Sequence, residues 1–559
     1  MTTDPDDKAT THGKAVPPMR PTFAPPDPPP ARPSTSPPAR PSDPPPVPQT
    51  KGVAGPSSST WAAPHRAPTG QAQSSATDAT RYLCVAVQLN SDLSRRAVDS
   101  VLKEPHRAVA FSPGVDLACV LRYALAARAR QATVQVLLAL VSIGVLASLA
   151  FQPFPDSSET VLPVPLPPLV VPLLLVAWAI VLAERLITFY GVLRAKLSRD
   201  SFDPDAAPRA NPDSERLLRH IAAPDRQGNV SVFAGFDPFL GYGGLTKPWN
   251  FTIAVDRPDG QSDHVVPFTV RELTTEVTGA LQALGLPGVA VSERVFVNGA
   301  DLAQRLDPAL HRLLLPRPDD RPQTELRQAV IDKLWESGSG PARPYLVATV
   351  SGWNGELVAG FVIRFSLSTA RDLLFVEGGS TLLPPLQRRY HQVDHLLDRP
   401  TWWQLLALVN ASALAVPGRL LSSPLRAFEL LLGGLADRRK EKEQLRQIAL
   451  GAFNHGAELS LRELAAETVF HRYFQQVDSQ MYTKIVERRV LDTLTDFLAD
   501  RQVDVSELRE RQSVIYNGGV FASGNANVSF VNSSVAAGAG SKLVRLAGRA
   551  AGGMRKEGR

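Results

Sequence analysis

Two long apolar runs dominate the first half of the chain. Residues Ala132–Phe151 contain no charged side chain over 20 positions, and a second run extends from Leu166 to Val192. Because a helix rises about 1.5 Å per residue, such a run reaches across a hydrocarbon core of about 30 Å. The pattern predicts a transmembrane helical hairpin over residues 132–193. Glu184 and Arg185 lie near the end of the second run, where we expect them at the lipid headgroups.

The charges around this hairpin predict its orientation. Its outer flanks are basic, with Arg122, Arg128 and Arg130 before the first run and Arg194, Lys196 and Arg199 after the second. The connecting loop carries Asp156 and Glu159 but no Lys or Arg. Since basic flanks stay on the cytoplasmic side of a membrane, we expect both termini in the cytoplasm and the proline-rich loop outside.

Residues 80–131 are predicted to be a small cytoplasmic segment that leads into the membrane. The apolar run Tyr82–Leu89 predicts a short strand, and Asp92–Lys103 and Val115–Arg130 predict two helices.

A cytoplasmic α+β domain is predicted over residues 213–398. The apolar pattern there predicts strands at 229–234, 249–255, 295–297, 345–350 and 356–365. Helices are expected at 270–284, 301–313 and 324–336. Trp353-Asn-Gly355 is typical of a hairpin turn between the last two strands. Strands that pair locally favour an antiparallel or mixed sheet over a doubly wound fold.

The apolar segment 402–435 has three interpretations. Trp402–Val416 is apolar for 15 residues and then meets Pro417, which is short for a membrane span. Because two tryptophans suit the headgroup level, we expect an interfacial helical hairpin on the inner leaflet. A buried core helix and a third span are the alternatives.

Residues 437–540 are predicted to form a helical C-terminal module with Gly- and Asn-rich short strands. Its clearest element is an amphipathic helix over Gln475–Asp500, and a short strand is expected at Val528–Val531. The basic tail 541–559 follows, which is either attracted to anionic lipid or simply solvated.

Composition changes the picture mainly at the N-terminus. Of the 49 prolines in the 559 residues, 20 lie in the first 80, which lack Ile and Leu. Residues 1–79 are therefore predicted to be a disordered Pro-rich tail.

The two cysteines, Cys84 and Cys119, exclude a disulfide scaffold. The net charge of +6 is dispersed without interleaved aromatic residues, so no nucleic-acid partner is expected.

Motifs of known chemistry are missing from the sequence. It contains no Walker loop, H-E-x-x-H, G-x-S-x-G, C-x-x-C or EF-hand pattern. The nearest phosphate-loop lookalike, Gly241–Lys247, lacks the required spacing, and we expect a tight surface turn there.

A few polar residues could still carry chemistry. His391 and His395 are four apart and would share one helix face with Asp394 beside them, but two ligands do not make a metal site. Asp237 and Glu356 are carboxylates near turns that could act as acid or base. The catalytic residues are thus unknown, and no cofactor or metal ligand is assigned.

Several C-terminal stretches carry a family resemblance: His471–Asp478, Met481–Leu491, Val505–Gln512 and Asn517-Gly-Gly519, with Thr80–Cys84 and Phe233–Phe239 further upstream. In these stretches the chain resembles a family of uncharacterised actinobacterial membrane proteins with two spans. The resemblance implies a two-span bacterial membrane protein with cytoplasmic domains, and it implies no activity or binding residue.

These observations favour a membrane-anchored cytoplasmic interaction or assembly protein without catalytic activity. Its expected partners are the lipid bilayer and other proteins, with a homo-oligomer as an open alternative. Two rivals belong to other classes: an enzyme with an unrecognised site within residues 229–386 and around Asp237, Glu356 and His391, or a subunit of an oligomeric transporter.

Overall fold

A computed structural model describes residues 78–151, 168–221, 228–261, 263–286, 288–337, 340–397 and 399–517. The predicted outer loop, the strand at 528–531, the basic tail and nearly all of the Pro-rich tail lie outside the described residues.

The described chain starts with helices that precede the first apolar run. They are α1 (Asp78–Leu89) and α2 (Ser91–Ala97), followed by a π-helical turn over Val98–Leu102. The strand predicted at Tyr82–Leu89 is therefore wrong. Residues Asp78–Gln88 are buried on every side of α1, and a short, continuously apolar run does not distinguish a buried helix from a buried strand.

Two apolar helices follow. They are α3 (Leu117–Ala150) and α4 (Val170–Leu186), and α4 continues through a π-helical segment (Ile187–Arg194) into α5 (Ala195–Leu197). The helix predicted at Val115–Arg130 is thus the first half of α3. The Asp116 side chain caps α3 by accepting a hydrogen bond from the Cys119 N–H at 3.0 Å.

A six-stranded mixed sheet forms the centre of the α+β part, which confirms the predicted antiparallel or mixed sheet. After α6 (Pro212–His220) come β1 (Val230–Phe233), β2 (Leu245–Ala254), α7 (Val270–Gln282), β3 (Val289–Asn298), α8 (Pro308–Leu314), α9 (Gln328–Glu336), β4 (Ala342–Gly352), β5 (Leu357–Leu367) and β6 (Leu373–Leu383). The order is β1-β3-β4-β5-β6-β2. Only β1 and β3 pair in parallel.

The sheet differs from the sequence prediction in two places. Strand β6 was not predicted because Gly378 and Gly379 interrupt its apolar pattern. A Cβ at Gly378 would lie 3.0 Å from Trp249, and one at Gly379 would lie 2.7 Å from Leu245, so these glycines let β2 pack closely. The helix predicted at 301–313 begins only at Pro308, where Asp307 caps it.

The remaining helices are α10 (Trp402–Ala449), α11 (Leu461–Leu464), α12 (Tyr473–Asp500) and α13 (Ser506–Asn517). Helices α7 and α12 cover one face of the sheet and share its main apolar core. A smaller aromatic core, which includes Phe239, Phe296 and Tyr345, lies on the other face.

The predicted interfacial hairpin is wrong in one respect, because α10 is a single helix of 48 residues that passes through Pro417 and Pro424. A proline removes one hydrogen bond and bends a helix without necessarily ending it, especially where other helices support it. Here α3 and α4 give that support, through a shared core of Val134, Leu138, Val141, Ala177, Val181, Val416 and Leu420.

The three helices of this bundle are each long and apolar enough to cross a membrane. Their outward side chains are apolar as well: Leu140 of α3 is 62% exposed and Leu421 of α10 is 85% exposed. Such a surface is compatible with membrane association.

Helices α4 and α10 run in the same direction. The Trp178 indole N–H donates to the Val409 carbonyl at 3.4 Å, and further along both helices Glu184 pairs with Arg419. Helix α3 runs opposite to α4, since its last turns, at Gly144, lie beside Leu173 in the first turns of α4.

Candidate functional site

A cluster of buried polar side chains joins α1 to the sheet. Between β4 and β5 the chain turns through Trp353, Asn354 and Gly355, whose φ values are +52°, +53° and +86°. This left-handed backbone is tolerated by Gly and Asn but is unusual for Trp. The Trp353 indole N–H donates to Asp478 at 3.0 Å, and the Asn354 amide donates to Asp78 at 2.8 Å. The turn is thus held from both sides, and it places Glu356 at the start of β5.

The centre of the cluster is Arg81, whose side chain is 2% exposed. Its Nε and one terminal N–H donate to Asp78 at 3.1 and 3.0 Å, and the other terminal nitrogen donates to Asp394 at 2.6 Å. The Tyr82 hydroxyl also donates to Asp394. Arg81 further donates to the Leu197 carbonyl at 3.3 Å. The guanidinium therefore ties α1 to the end of the second apolar helix and to the 3-10 helix Arg388–His395.

Both carboxylates around Arg81 are stabilised in their charged form. Burial would raise the pKa of Asp78, but hydrogen bonds from Asn354 and Arg199, and the charge of Arg81, hold it below its ordinary value. Burial likewise opposes ionisation of Asp394, but the hydrogen bonds from Arg81 and Tyr82 prevail and lower its pKa.

Glu356 and His391 lie side by side next to this ionic centre, and the pKa values of both are shifted. Glu356 Oε2 lies 3.4 Å from His391 Nε2, with 12% and 21% of the respective side chains exposed. Burial, assisted by the negative charge of Asp78, raises the pKa of Glu356 to about 7. Burial and the neighbouring His471 lower the pKa of His391 to about 4. Near neutral pH the imidazole is therefore uncharged and the carboxyl is about half protonated.

Aromatic rings enclose the imidazole of His391. The Tyr82 ring lies 4.1 Å from it and the His471 ring 5.1 Å, measured between centroids. His471 in turn contacts Glu467, with Nε2 and Oε2 3.0 Å apart. These neighbours limit access of solvent to the pair.

A second buried arginine supports the same region from α11. Arg462 is fully buried and donates to the carbonyl groups of Glu356 and Pro384. Burial lowers its pKa to about 10. The start of β5 and the end of β6 are therefore fastened to α11.

The glycine-rich loop Gly241–Lys247 holds an anion from its own chain. Oε1 of Glu463 accepts the N–H groups of Gly241 at 2.7 Å and Gly243 at 2.9 Å. Both glycines have positive φ, and a Cβ on either would lie 2.0 Å from a carbonyl oxygen. The loop is a turn built around a carboxylate, which occupies the N–H groups of Gly241 and Gly243.

The polar residues singled out in the sequence separate in the structure. Glu356, His391 and Asp394 belong to the cluster, whereas Asp237 caps its own loop by accepting the Phe239 N–H at 2.9 Å. His395 is exposed. The shared helix face fails because the segment is a 3-10 helix, in which residues four apart point about 120° away from each other.

Several cluster residues were not singled out from the sequence, above all Arg81 and Asp78. One signal for them existed: Arg81 directly precedes an apolar run, and a buried arginine requires acidic partners. The identity of those partners is not a local property, because Asp394 is 313 positions away from Arg81.

The cluster resembles a structural junction more than an open reaction site. Two cavities, of about 430 and 830 Å³, lie elsewhere and are lined by neither Glu356 nor His391. Within the described ranges, no group of three or more His, Cys, Asp or Glu side chains is placed to hold a metal ion. Two titratable groups that lie this close, Glu356 and His391, could exchange a proton.

Comparison with curated proteins and with solved structures gives no match. The AbeC-like domain matches residues 248–529. This range contains Glu356, His391 and Arg462, whereas Arg81 precedes it, so the cluster joins the matched domain to the N-terminal helices. Since the match covers half of the chain, the protein belongs to the AbeC-like domain family.

Proposed function

We propose that this protein is a membrane-anchored cytoplasmic interaction or assembly protein, in which α3 and α4 hold an AbeC-like domain against the inner face of a bilayer. The observation that carries the proposal is the apolar outer surface of the bundle of α3, α4 and α10. The basic flanks support a cytoplasmic location for both termini.

Chain connectivity supports two crossings, by α3 and α4. Helix α10 runs parallel to α4. If both helices crossed the membrane in the same direction, the chain between them would have to cross back in the opposite direction. In the described residues between Ser198 and Thr401, no helix is long and apolar enough to do so. We therefore propose that the apolar half of α10 packs beside the hairpin without completing a third crossing.

Two sets of contacts between the N-terminal helices and the rest of the chain support an assembly role. The Arg81 cluster fastens α1 and the end of α5 to the 3-10 helix Arg388–His395 and to the β4–β5 turn. On the other side, the buried carboxylate of Glu104 accepts hydrogen bonds from Lys440 and Gln444 in the charged half of α10. The domain is thereby presented to partners in a fixed orientation to the membrane.

A second candidate, an acid–base enzyme, is favoured by one observation, the shifted pKa values of the neighbouring Glu356 and His391. Perturbed pKa values of this kind are frequent at catalytic sites. The pair is enclosed by side chains of its own chain, however, and structural networks perturb pKa values as well. We therefore assign Glu356 and His391 to the junction. A transporter subunit would in addition need several copies around one path, which a monomeric detergent-solubilised protein would exclude.

The test is affinity capture of the full-length protein after cross-linking in cells, compared with a variant that lacks residues 1–79. We expect specific proteins to be captured by both forms, because the domain and not the tail presents the binding surface. Loss of every partner from the truncated form would instead assign the interaction to the Pro-rich tail. Absence of any specific partner from both would contradict the proposal.

A further inference from the structure

A cavity of about 430 Å³ lies where the apolar bundle meets the cytoplasmic helices. On one side it is lined by the start of the first apolar run, including Ala132 and Val134, and by Leu430 of α10. Its charged lining is mostly basic: Arg95, Lys103, Arg128, Arg419 and Arg426, against Glu184, Glu429 and Asp437. The cavity therefore combines apolar and basic walls at the boundary that the headgroups would occupy.

Three of the basic side chains already have acidic partners. Lys103 bonds to Asp437 at 2.7 Å, Arg128 pairs with Asp99 at 2.6 Å, and Arg419 pairs with Glu184. Their positive charge is thus largely neutralised within the chain.

Arg95 and Arg426, in contrast, are exposed and make no ion pair with the residues that the structure describes. Another lining group without a partner in that part of the chain is the Gln135 side-chain oxygen, which is buried and accepts no hydrogen bond. A ligand that suits this lining carries a negative charge for the two arginines and a hydroxyl that donates to Gln135.

We propose that this cavity binds the headgroup of an anionic phospholipid of the inner leaflet. The phosphate lies between Arg95 and Arg426, a headgroup hydroxyl donates to Gln135, and the acyl chains follow the apolar surface at Val134 and Leu430. Phosphatidylglycerol has all three features. The inference rests on the proposed membrane placement, because only that placement brings lipid to the cavity.

The test uses the full chain in an uncharged detergent and measures its melting midpoint as phosphatidylglycerol or phosphatidylcholine is added. Arg95→Gln and Arg426→Gln are compared with Arg438→Gln, which removes the same charge from an exposed position of α10 outside the cavity. A basic residue near anionic lipid contributes about 1 kcal/mol, so each cavity variant should raise the half-saturating phosphatidylglycerol concentration about fivefold.

We expect phosphatidylglycerol to raise the midpoint of the wild type and of Arg438→Gln, and phosphatidylcholine to have no such effect. Equal effects of both lipids, unchanged binding in the cavity variants, or full reproduction of the effect by inorganic phosphate would each overturn the lipid site. Fractionation of the cells that produce the protein into membrane and soluble parts tests the proposed membrane placement separately. A protein found in the membrane without lipid selectivity refutes only this inference, and a soluble protein refutes the proposed function.

Discussion

The apolar bundle of α3, α4 and α10 and the domain built on the six-stranded sheet arrange their side chains in opposite ways. In the bundle, large apolar side chains such as Leu140 and Leu421 face outward, and Glu184 pairs with Arg419. In the domain the sheet buries its apolar residues, and most ionic side chains lie outside. The same physical rule explains both arrangements if lipid surrounds the bundle and water surrounds the domain.

The Arg81 cluster lies between these two regions and shows what their connection requires. It buries the Arg81 guanidinium and satisfies that charge with two carboxylates and a backbone carbonyl. A buried ionic centre of this kind adds little net stability to the fold, but it selects one arrangement of the elements that it joins. The predictions that follow test the two environments and the junction between them, from the largest expected effect to the smallest.

Replacing Arg81 by Met should have the largest effect on stability. It leaves the carboxylates of Asp78 and Asp394 without their shared guanidinium, and breaking a buried ion pair costs about 3–5 kcal/mol. The melting midpoint of the detergent-solubilised protein checks this. Arg199→Met is the matched control, because Arg199 bonds to the same Asp78 but is 72% exposed, and we expect a loss below about 1 kcal/mol. Equal losses in both variants would refute the special role of Arg81.

Leu140→Arg tests the environment of the bundle. An arginine near the centre of a spanning helix costs about 3 kcal/mol of insertion free energy, so the fraction of protein recovered in membranes should fall. Leu450→Arg makes the same change at a position that is 69% exposed just beyond α10, and it should leave that fraction unchanged. If both variants insert like the wild type, the surface of α3 does not face lipid.

Glu356→Gln should change the pH dependence of stability. The raised folded pKa means that, as pH rises from about 4.5 to about 7, the unfolded carboxyl ionises while the folded one keeps its proton, so the wild type loses stability over this window. At pH 8 the variant should be more stable by up to about 3 kcal/mol, and this difference should vanish near pH 4.5. Melting midpoints measured from pH 4.5 to 8 check it.

His391→Gln serves as the counterpart with the opposite sign. The folded pKa of His391 is lowered to about 4, so the wild type loses stability as pH falls from about 6.5 towards 4, when only the unfolded imidazole takes up a proton. The variant should therefore gain relative stability at acidic pH and not at pH 8. If the stability of Glu356→Gln and of His391→Gln, each relative to the wild type, depended on pH in the same way, Glu356 and His391 would not titrate separately.

Asp237→Asn should have the smallest effect. Asp237 is exposed and bonds only to the backbone of its own turn, as far as the described residues show, so the change should stay within about 0.5 kcal/mol. A pH-dependent loss in the same melting series would place Asp237 in the junction after all.

Local pattern accounts for the parts of the fold that the sequence predicted well. The amphipathic helix predicted at Gln475–Asp500 is α12 within two residues, and each of the five predicted strands lies in one observed strand apart from single residues at the ends. Periodicity reports such elements because it depends only on neighbouring residues. Periodicity does not distinguish the buried helix α1 from a strand. Pro417 suggests the end of a helix at a position where α10 in fact continues.

The candidate site was less predictable for a different reason. The sequence groups Glu356 and His391 with Asp237 in one candidate site, but the direct pairing of Glu356 with His391 depends on how the β4–β5 turn meets the 3-10 helix that follows β6. Arg81 acquires its role from Asp394, and nothing in the local sequence of either residue indicates the other. Long-range ionic contacts arise from the assembled fold.

Cysteine labelling in intact cells tests the central claim, that a two-span anchor places the domain in the cytoplasm, most directly. The variants are Ser158→Cys in the connecting loop, Asn250→Cys in β2 and Leu405→Cys in α10, and the native Cys84 and Cys119 are fully buried. With a membrane-impermeant thiol reagent, only position 158 should be labelled, and position 250 should react once the cells are permeabilised. Labelling of position 250 in intact cells would contradict the cytoplasmic domain, and labelling of position 405 would show that α10 reaches the outer surface.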